Sequence, residues 1–278
     1  MESWQHIYDS FDPIAFSFFG IFNVHWYGIM YAMALFSALL VGKWIIKRDQ
    51  IAISKDAIGN YFFWVEVGVI LGARLGYILF YDPNTAFYLT HPWQIFNPFM
   101  DGEFVGIRGM SYHGALIGFL LASYFYSRRN KEPFWVYMDL VSVAVPLGYV
   151  FGRIGNFMNQ ELVGTETSVS WGIYVFDVLR HPSQLYEAFL EGIVVFAIMM
   201  VLRHYKKFDG MLALSYGFLY GLARFTAEFW RAPDIQLGYI CCGWMTMGQL
   251  WSIVMMVISA VGLWYLYKNS LKQVKHKK

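Results

Sequence analysis

Charged residues are scarce in this sequence. They make up 14% of its 278 residues, whereas soluble domains carry about 25%. Hydrophobic residues account for 58% of the chain and aromatic residues for 20%. A chain with so few charges and so much apolar surface is typical of a polytopic membrane protein, whose side chains face lipid or neighbouring helices.

The sequence also lacks separated cysteines, a large net charge and the common motifs for binding cofactors. The only two cysteines, Cys241 and Cys242, are adjacent, which fits neither a disulfide framework nor a zinc site. The net charge of +2 gives no support for a nucleic-acid partner. The chain has no P-loop, no nucleophile elbow, no His-Glu-x-x-His sequence and no paired aspartates for Mg²⁺. We therefore expect no metal and no cofactor.

Seven apolar runs approach the roughly 20 residues that a helix needs to cross a bilayer. They cover 24–46, 58–81, 112–127, 134–157, 183–203, 211–230 and 246–267. The third run is short and begins with glycine and serine, so it is either a full span or partly re-entrant. The sequence thus predicts an all-α membrane protein with about seven transmembrane helices, in which residues 1–278 form a single integral membrane domain.

Basic residues follow alternate runs and predict the orientation. They come after the first, third, fifth and seventh runs, at 43–55, 128–131, 203–207 and 268–278. Because basic loops stay in the cytoplasm, the N-terminus is predicted to be outside and the C-terminus cytoplasmic. The outer loops 82–111 and 158–182 are long enough for a small head, and the second is predicted to hold short paired strands. Residues 1–23 are predicted to lie along the same interface.

Six basic residues remain outside this pattern, and all six are arginine. They are Arg74, Arg108, Arg153, Arg180, Arg224 and Arg231. A guanidinium holds phosphate through two parallel hydrogen bonds and tolerates partial burial better than an ammonium. Arginines that converge on the outer side of a membrane therefore indicate a site for a phospholipid headgroup.

The densest polar segment ends the fourth run, at 152–164, with the sequence GRIGNFMNQELVG. A cation, an anion and several amides at a membrane edge indicate function, because each desolvated polar group needs a partner. If the helix continues, Arg153, Asn156 and Gln160 share a face. Glu161 either pairs with an arginine or orients one.

A second polar stripe lies on the sixth run. Its members are Tyr220, Arg224, Glu228 and Arg231, at helical spacing. The pair Arg224–Glu228 is either an ion pair that joins helices or a device that aims a guanidinium at a substrate. A tyrosine on the same stripe favours the second interpretation.

Three further segments contain candidates. His113 opens the third run beside Gly114, and its imidazole has the pKa range of a general base. Tyr27 begins the first run and is either an interface-belt residue or a ligand-binding one. In the segment 181–187, three side chains are candidates to line a polar cleft: Gln184, Tyr186 and Glu187.

The run at 152–164 resembles the signature of bacterial prolipoprotein diacylglyceryl transferases. The likeness extends, in the same order along the chain, to 25–31, 72–81, 108–118, 181–187 and 220–236. This resemblance implies a seven-span enzyme of the bacterial inner membrane with a periplasmic head. Such enzymes move the diacylglyceryl group of phosphatidylglycerol onto the lipobox cysteine in the signal peptide of a preprolipoprotein and release glycerol 1-phosphate, without metal or nucleotide.

Family resemblance also attaches importance to nine positions. They are Tyr27, His113, Arg153, Asn156, Glu161, Gly164, Tyr220, Arg224 and Glu228. Tyr27 and Gly164 rest on the resemblance alone. The chemistry then implies His113 as the base, and Arg153 and Arg224 as stabilisers of the leaving phosphate.

The other positions have supporting roles in this hypothesis. Tyr27, Asn156 and Tyr220 would bind headgroup oxygens. Glu161 and Glu228 would fix the arginines. Two rival interpretations are a lipid transporter, which needs polar residues through the full membrane depth and two related halves, and a non-catalytic scaffold, which leaves the arginines unexplained.

Overall fold

The computed structural model describes residues 2–18, 22–100, 103–104, 106–107, 109–233 and 238–276. Arg108, one of the six unexplained arginines, lies outside the described residues. The chain divides into two compact units, Met1–Asp49 with Met138–Lys278 and Gln50–Tyr137. Each unit is built mainly from long helices, which agrees with the prediction of a helical membrane protein.

Ten α-helices are described. They are α1 Glu2–Gln5, α2 Trp26–Arg48, α3 Lys55–Phe80, α4 Thr85–Thr90, α5 Tyr112–Asn130, α6 Phe134–Met158, α7 Ser183–Glu187, α8 Val195–Leu202, α9 Met211–Ala227 and α10 Met247–His276. A π-helical segment, Ala188–Val194, joins α7 to α8 without a break. Short 3₁₀ turns extend several helix ends, among them Glu228–Trp230 after α9.

The described residues also include six short strands, which form three antiparallel pairs. They are β1 Ile14–Phe18 with β2 Phe22–His25, β3 Phe99–Met100 with β4 Glu103–Phe104, and β5 Ile173–Val175 with β6 Val178–Arg180. The last hairpin lies in the segment 158–182, where the sequence predicts paired strands. Its turn residues, Phe176 and Asp177, both have positive φ angles, as a tight hairpin turn requires.

Within the described residues, five helical stretches are long and apolar enough to cross a membrane. They are Trp26–Arg48, Asp56–Phe80, Phe134–Met158, Ser183–Tyr205 and Met247–Lys272. The other two predicted spans are also helical, as α5 with 19 residues and α9 with 17 residues. The number of helices that cross the bilayer therefore depends on these two.

In the unit Gln50–Tyr137, helices α3 and α5 are antiparallel and closely packed. A Cβ atom on Gly76 would lie 2.7 Å from the Cα of Gly114, and one on Gly68 would lie 2.8 Å from the carbonyl oxygen of Gly118. Small residues let helix backbones approach in a membrane, where hydrophobic burial does not drive association. Farther along the pair, the Tyr61 hydroxyl shares a 2.9 Å hydrogen bond with Ser123.

In the other unit, α6 packs between α2 and the α7–α8 region. A Cβ atom on Gly148 would lie 2.9 Å from the Ala34 carbonyl oxygen of α2. The N-terminal segment lies on residues 158–182, since Trp4 Nε1 donates to the Trp171 carbonyl oxygen at 2.9 Å. The structure also joins the sulfur atoms of Cys241 and Cys242 in a turn that ends at Met245, although the sequence predicts no disulfide.

Candidate active site

The C-terminal end of α6 positions the first guanidinium. Arg153 Nε donates to the Tyr149 hydroxyl at 2.6 Å, and Nη1 donates to Asn156 Oδ1 at 3.1 Å. Asn156 Nδ2 then donates to Glu161 Oε1 at 2.7 Å. Glu161 therefore contacts the amide that orients Arg153, and it acts on the arginine through Asn156. Arg153 and Asn156 share a helical face, as the spacing predicts.

Gln160 would share this face only if the helix continued past Met158, which it does not. Helix α6 ends at Met158, and Gln160 has a left-handed φ of 56°. Its Nε2 instead donates to the carbonyl oxygens of Tyr8 and Phe11, at 3.2 and 3.1 Å. The Gln160 side chain therefore anchors the N-terminal segment.

Glu187 is the centre of the cluster. Its Oε2 lies 3.1 Å from Arg153 Nε and 2.8 Å from Arg224 Nη1, and its Oε1 lies 3.2 Å from Arg231 Nη1. The glutamate side chain is fully buried, while the guanidinium groups keep 12–16% exposure. One carboxylate thus draws three guanidinium groups together at a partly accessible surface.

A second carboxylate, that of Glu228, contacts both Arg224 and Arg231. Arg224 Nη2 lies 2.6 Å from Glu228 Oε2, and Arg231 Nε lies 4.0 Å from the same oxygen. The other oxygen of Glu228 accepts a 2.9 Å hydrogen bond from Thr246. Helix α9 ends at Ala227, earlier than predicted, yet the 3₁₀ turn that follows keeps Arg231 beside the cluster.

A third carboxylate, Glu191, lies in the π-helical segment. It is fully buried, 3.6 Å from Arg224 Nη1, and its Oε2 accepts a hydrogen bond from the Tyr149 hydroxyl at 2.5 Å. One extra residue in a helical turn shifts side chains relative to a regular α-helix, and π-turns recur at functional sites. Glu187 and Glu191 both face the arginines across this segment.

Gly164 lies where two chain segments cross. Its N–H donates to the His181 carbonyl oxygen at 3.1 Å, and a Cβ atom would lie 2.6 Å from the Trp230 carbonyl oxygen. Both neighbours are backbone, so only glycine fits. Burial lowers the pKa of the adjacent His181 imidazole.

Tyr27 and Tyr220 flank the cluster. Tyr27 is 41% exposed at the start of α2, and a Cβ atom on Gly155 would lie 3.2 Å from its ring. The ring of Tyr220 packs edge-on against that of Tyr149, with centroids 5.6 Å apart. Both aromatic residues therefore contact the helix that carries Arg153.

His113 belongs to the other unit, where it is exposed in the first turn of α5. Arg74 lies in the same unit and donates to the carbonyl oxygens of Ile95 and Gly109, at 2.6 and 3.3 Å. Arg180 binds the Gly164 carbonyl oxygen at 3.2 Å and lies 3.7 Å from Glu166. Among the described arginines of the unit Met1–Asp49 with Met138–Lys278, Arg153, Arg224 and Arg231 form one cluster.

Sequence reasoning underestimated Glu187 and missed Tyr149. The i, i+4 spacing of Glu187 and Glu191 beside an apolar run is the signal that was available. Three guanidinium groups face three carboxylates, so the cluster is nearly neutral and internally paired. Such pairing holds the guanidinium groups in fixed positions.

The chain matches known proteins over most of its length. The family model described as prolipoprotein diacylglyceryl transferase matches residues 13–265. Similar proteins carry the name phosphatidylglycerol--prolipoprotein diacylglyceryl transferase. The one from Wolinella succinogenes is 63% identical over 96% of this chain and 97% of its own, and that from Campylobacter lari is 58% identical over the same shares. The Campylobacter curvus protein is 56% identical over 98% of this chain and all of its own.

Proposed function

The chain belongs to the prolipoprotein diacylglyceryl transferase family, and on that premise we propose that it transfers the diacylglyceryl group of phosphatidylglycerol to a preprolipoprotein cysteine. The acceptor is the thiol of the lipobox cysteine at the end of a signal peptide. A C–S bond forms as the bond between the glycerol carbon and the phosphate ester oxygen breaks. The thiol proton goes to a base, and glycerol 1-phosphate leaves.

One observation carries the proposed mechanism. Arg153 and Arg224 both contact Oε2 of Glu187, at 3.1 and 2.8 Å. Two guanidinium groups held on one oxygen point toward a common region, where the phosphate of a lipid headgroup would bind. As the C–O bond breaks, negative charge grows on the leaving oxygen, and fixed cations stabilise that charge.

The neighbouring side chains complete the headgroup site in this proposal. Tyr27, Asn156 and Tyr220 donate hydrogen bonds to headgroup oxygens. Glu161 orients Arg153 through Asn156, whereas Glu228 holds Arg224 directly at 2.6 Å. Gly164 keeps the crossing backbone segments close enough for this arrangement.

His113 is the proposed base. A thiolate is the attacking species, and an imidazole is the side chain whose ordinary pKa suits proton removal near neutral pH. His113 is exposed at the start of α5, beside Gly114, which leaves its ring accessible.

The membrane arrangement extends the same proposal. Seven spans, with α5 and α9 among them, place the N-terminus in the periplasm and the C-terminus in the cytoplasm of the bacterial cell. Basic residues after the first, third, fifth and seventh predicted spans support this orientation. The arginine cluster then lies near the periplasmic side of the inner membrane, with segments 82–111 and 158–182 forming the head.

The direct test uses purified protein with phosphatidylglycerol and a synthetic lipobox peptide. Mass spectrometry should detect a peptide heavier by one diacylglyceryl group, with an equal amount of glycerol phosphate in solution. A Cys→Ser peptide should give no product. Lipid movement across proteoliposomes without any modified peptide would instead support a transporter and overturn the proposal.

A further inference from the structure

A groove lies between α3 and α5, in the unit Gln50–Tyr137. It has a volume of about 540 Å³, which is within the range of small-molecule sites. Its walls come from the first half of α3 and the second half of α5. These are the ends of the two helices farthest from Ser111 and His113.

The groove is polar at one end and aromatic at the other. Asn60 lies one helical turn before Trp64 on α3, and Phe125 lies one turn before Arg129 on α5. Because the helices are antiparallel, Asn60 and Arg129 come to the same end. Trp64 and Phe125 lie deeper along the helices and are 56% and 64% exposed.

One hydrogen bond between the two helices and one within α5 keep this groove in shape. The Tyr126 hydroxyl donates to the Ala57 carbonyl oxygen at 2.9 Å, and Asn130 Nδ2 donates to the Tyr126 carbonyl oxygen at 2.8 Å. The nearby carboxylate of Glu132 accepts a hydrogen bond from Tyr137. The exposed Arg129 guanidinium gives the polar end a positive charge. The amide side chains of Asn60 and Asn130 line the same end of the groove.

We propose that this groove binds one anionic phospholipid, with its phosphate on Arg129 and Asn60 and its acyl chains along Trp64 and Phe125. Charge complementarity selects an anionic headgroup, and the aromatic walls match the apolar part of the lipid. In the predicted orientation, which the basic residues at 43–55 and 128–131 support, this end lies at the cytoplasmic leaflet. The bound lipid is distinct from the transferred one, and the inference does not depend on the transferase reaction.

Arg128 provides a matched control for Arg129. It is adjacent and carries the same charge, but its Nε donates to the Tyr124 hydroxyl at 3.2 Å and its guanidinium lies over the Tyr124 ring. Substitution of either arginine by glutamine removes one positive charge from the same helical turn. Only Arg129→Gln alters the lining of the groove.

The experiment counts lipids on the full-length protein by native mass spectrometry. Phosphatidylserine is the anionic probe, since it is not the proposed donor, and phosphatidylcholine is the zwitterionic reference. We expect the wild type and Arg128→Gln to bind phosphatidylserine in preference to phosphatidylcholine, and Arg129→Gln to bind it roughly fivefold more weakly. Trp64→Ala should weaken binding of the same lipid.

Two outcomes would overturn the proposal. If Arg128→Gln and Arg129→Gln lose phosphatidylserine binding equally, the attraction comes from overall charge and not from the groove. If the wild type binds phosphatidylserine and phosphatidylcholine equally, only apolar packing holds the lipid. Thermal stability and peptide modification by Arg129→Gln should match those of the wild type, which separates loss of the lipid from misfolding.

Discussion

Arg153 and Arg224 share one carboxylate oxygen, Oε2 of Glu187, although they lie on different helices. The two distances are 3.1 and 2.8 Å, and Glu187 itself is fully buried. Breaking a buried ion pair by removing one partner is costly, because the remaining charge is left without compensation. Glu187 therefore controls both the position of the guanidinium groups and the stability of the helices that carry them.

Glu187→Gln tests this control, since it keeps the shape of the side chain and removes its charge. We expect transfer activity to fall by roughly 100-fold or more, because the guanidinium groups separate when their common anion is lost. The peptide modification rate and thermal unfolding should be measured together. Glu166→Gln is the control, as Glu166 is 74% exposed and 3.7 Å from Arg180, and its rate should stay near wild type.

Arg153→Lys and Arg224→Lys test the geometry of the guanidinium groups. An ammonium retains the charge but cannot bind two partners in a plane, so kcat should fall by about 10²–10³-fold. Arg48→Lys serves as a control, because Arg48 lies over the Trp44 ring at the far end of α2. Full activity in either active-site lysine variant would mean that charge alone suffices.

Tyr149→Phe tests the hydroxyl that links Arg153 to Glu191. The ring over which Arg153 lies, at 4.8 Å, is retained, while hydrogen bonds of 2.6 and 2.5 Å are lost. We expect kcat to fall about tenfold with little change in KM, because Arg153 is aimed less well at the leaving phosphate. Tyr61→Phe removes another buried hydroxyl, in the other unit, and should leave kcat unchanged.

Gly164→Ala should destabilise the protein by roughly 1–3 kcal/mol, because its methyl group would overlap the backbone carbonyl oxygens of His181 and Trp230. Gly152→Ala is the matched comparison, since a Cβ atom there meets nothing within 4 Å. That substitution should preserve or raise the melting temperature, as alanine favours helix. If both variants melt like the wild type, the backbone crossing at Gly164 is not tight.

His113→Asn tests the base. Loss of a general base lowers a rate by about 10²–10⁴-fold, and the loss should shrink as pH rises and the thiol ionises without help. Rates should be measured from pH 6 to pH 9 with the same lipobox peptide. An unchanged rate at pH 6 would show that another group or water accepts the proton.

Some parts of the site follow from local sequence. The residues Arg153, Asn156 and Glu161 lie within five residues of the end of α6 at Met158, so spacing alone brings them together. The pair Arg224–Glu228 follows from i, i+4 geometry, and the structure has it at 2.6 Å. The nine positions that family resemblance marks as functional remain predictions of role, with the experiments above as their tests.

Other parts required the folded chain. Gln160 would lie on the face of Arg153 if the helix continued, but α6 ends at Met158, and the side chain contacts residues 8–11. The sequence places the helix end near 157, but it does not contain the distant partners of a residue beyond that end. The vicinal pairing of Cys241 and Cys242 likewise depends on the turn that holds them.

Composition and the alternation of basic loops determined by themselves that this is a multi-pass membrane protein, because apolar length and charge are local properties of the chain. The tertiary structure decided which of the described arginines meet. Arg153, Arg224 and Arg231 come from separate segments and contact Glu187, while Arg74 and Arg180 bind backbone carbonyl oxygens. A shared buried carboxylate is a long-range contact, and only the packing of α6, α7 and α9 creates it.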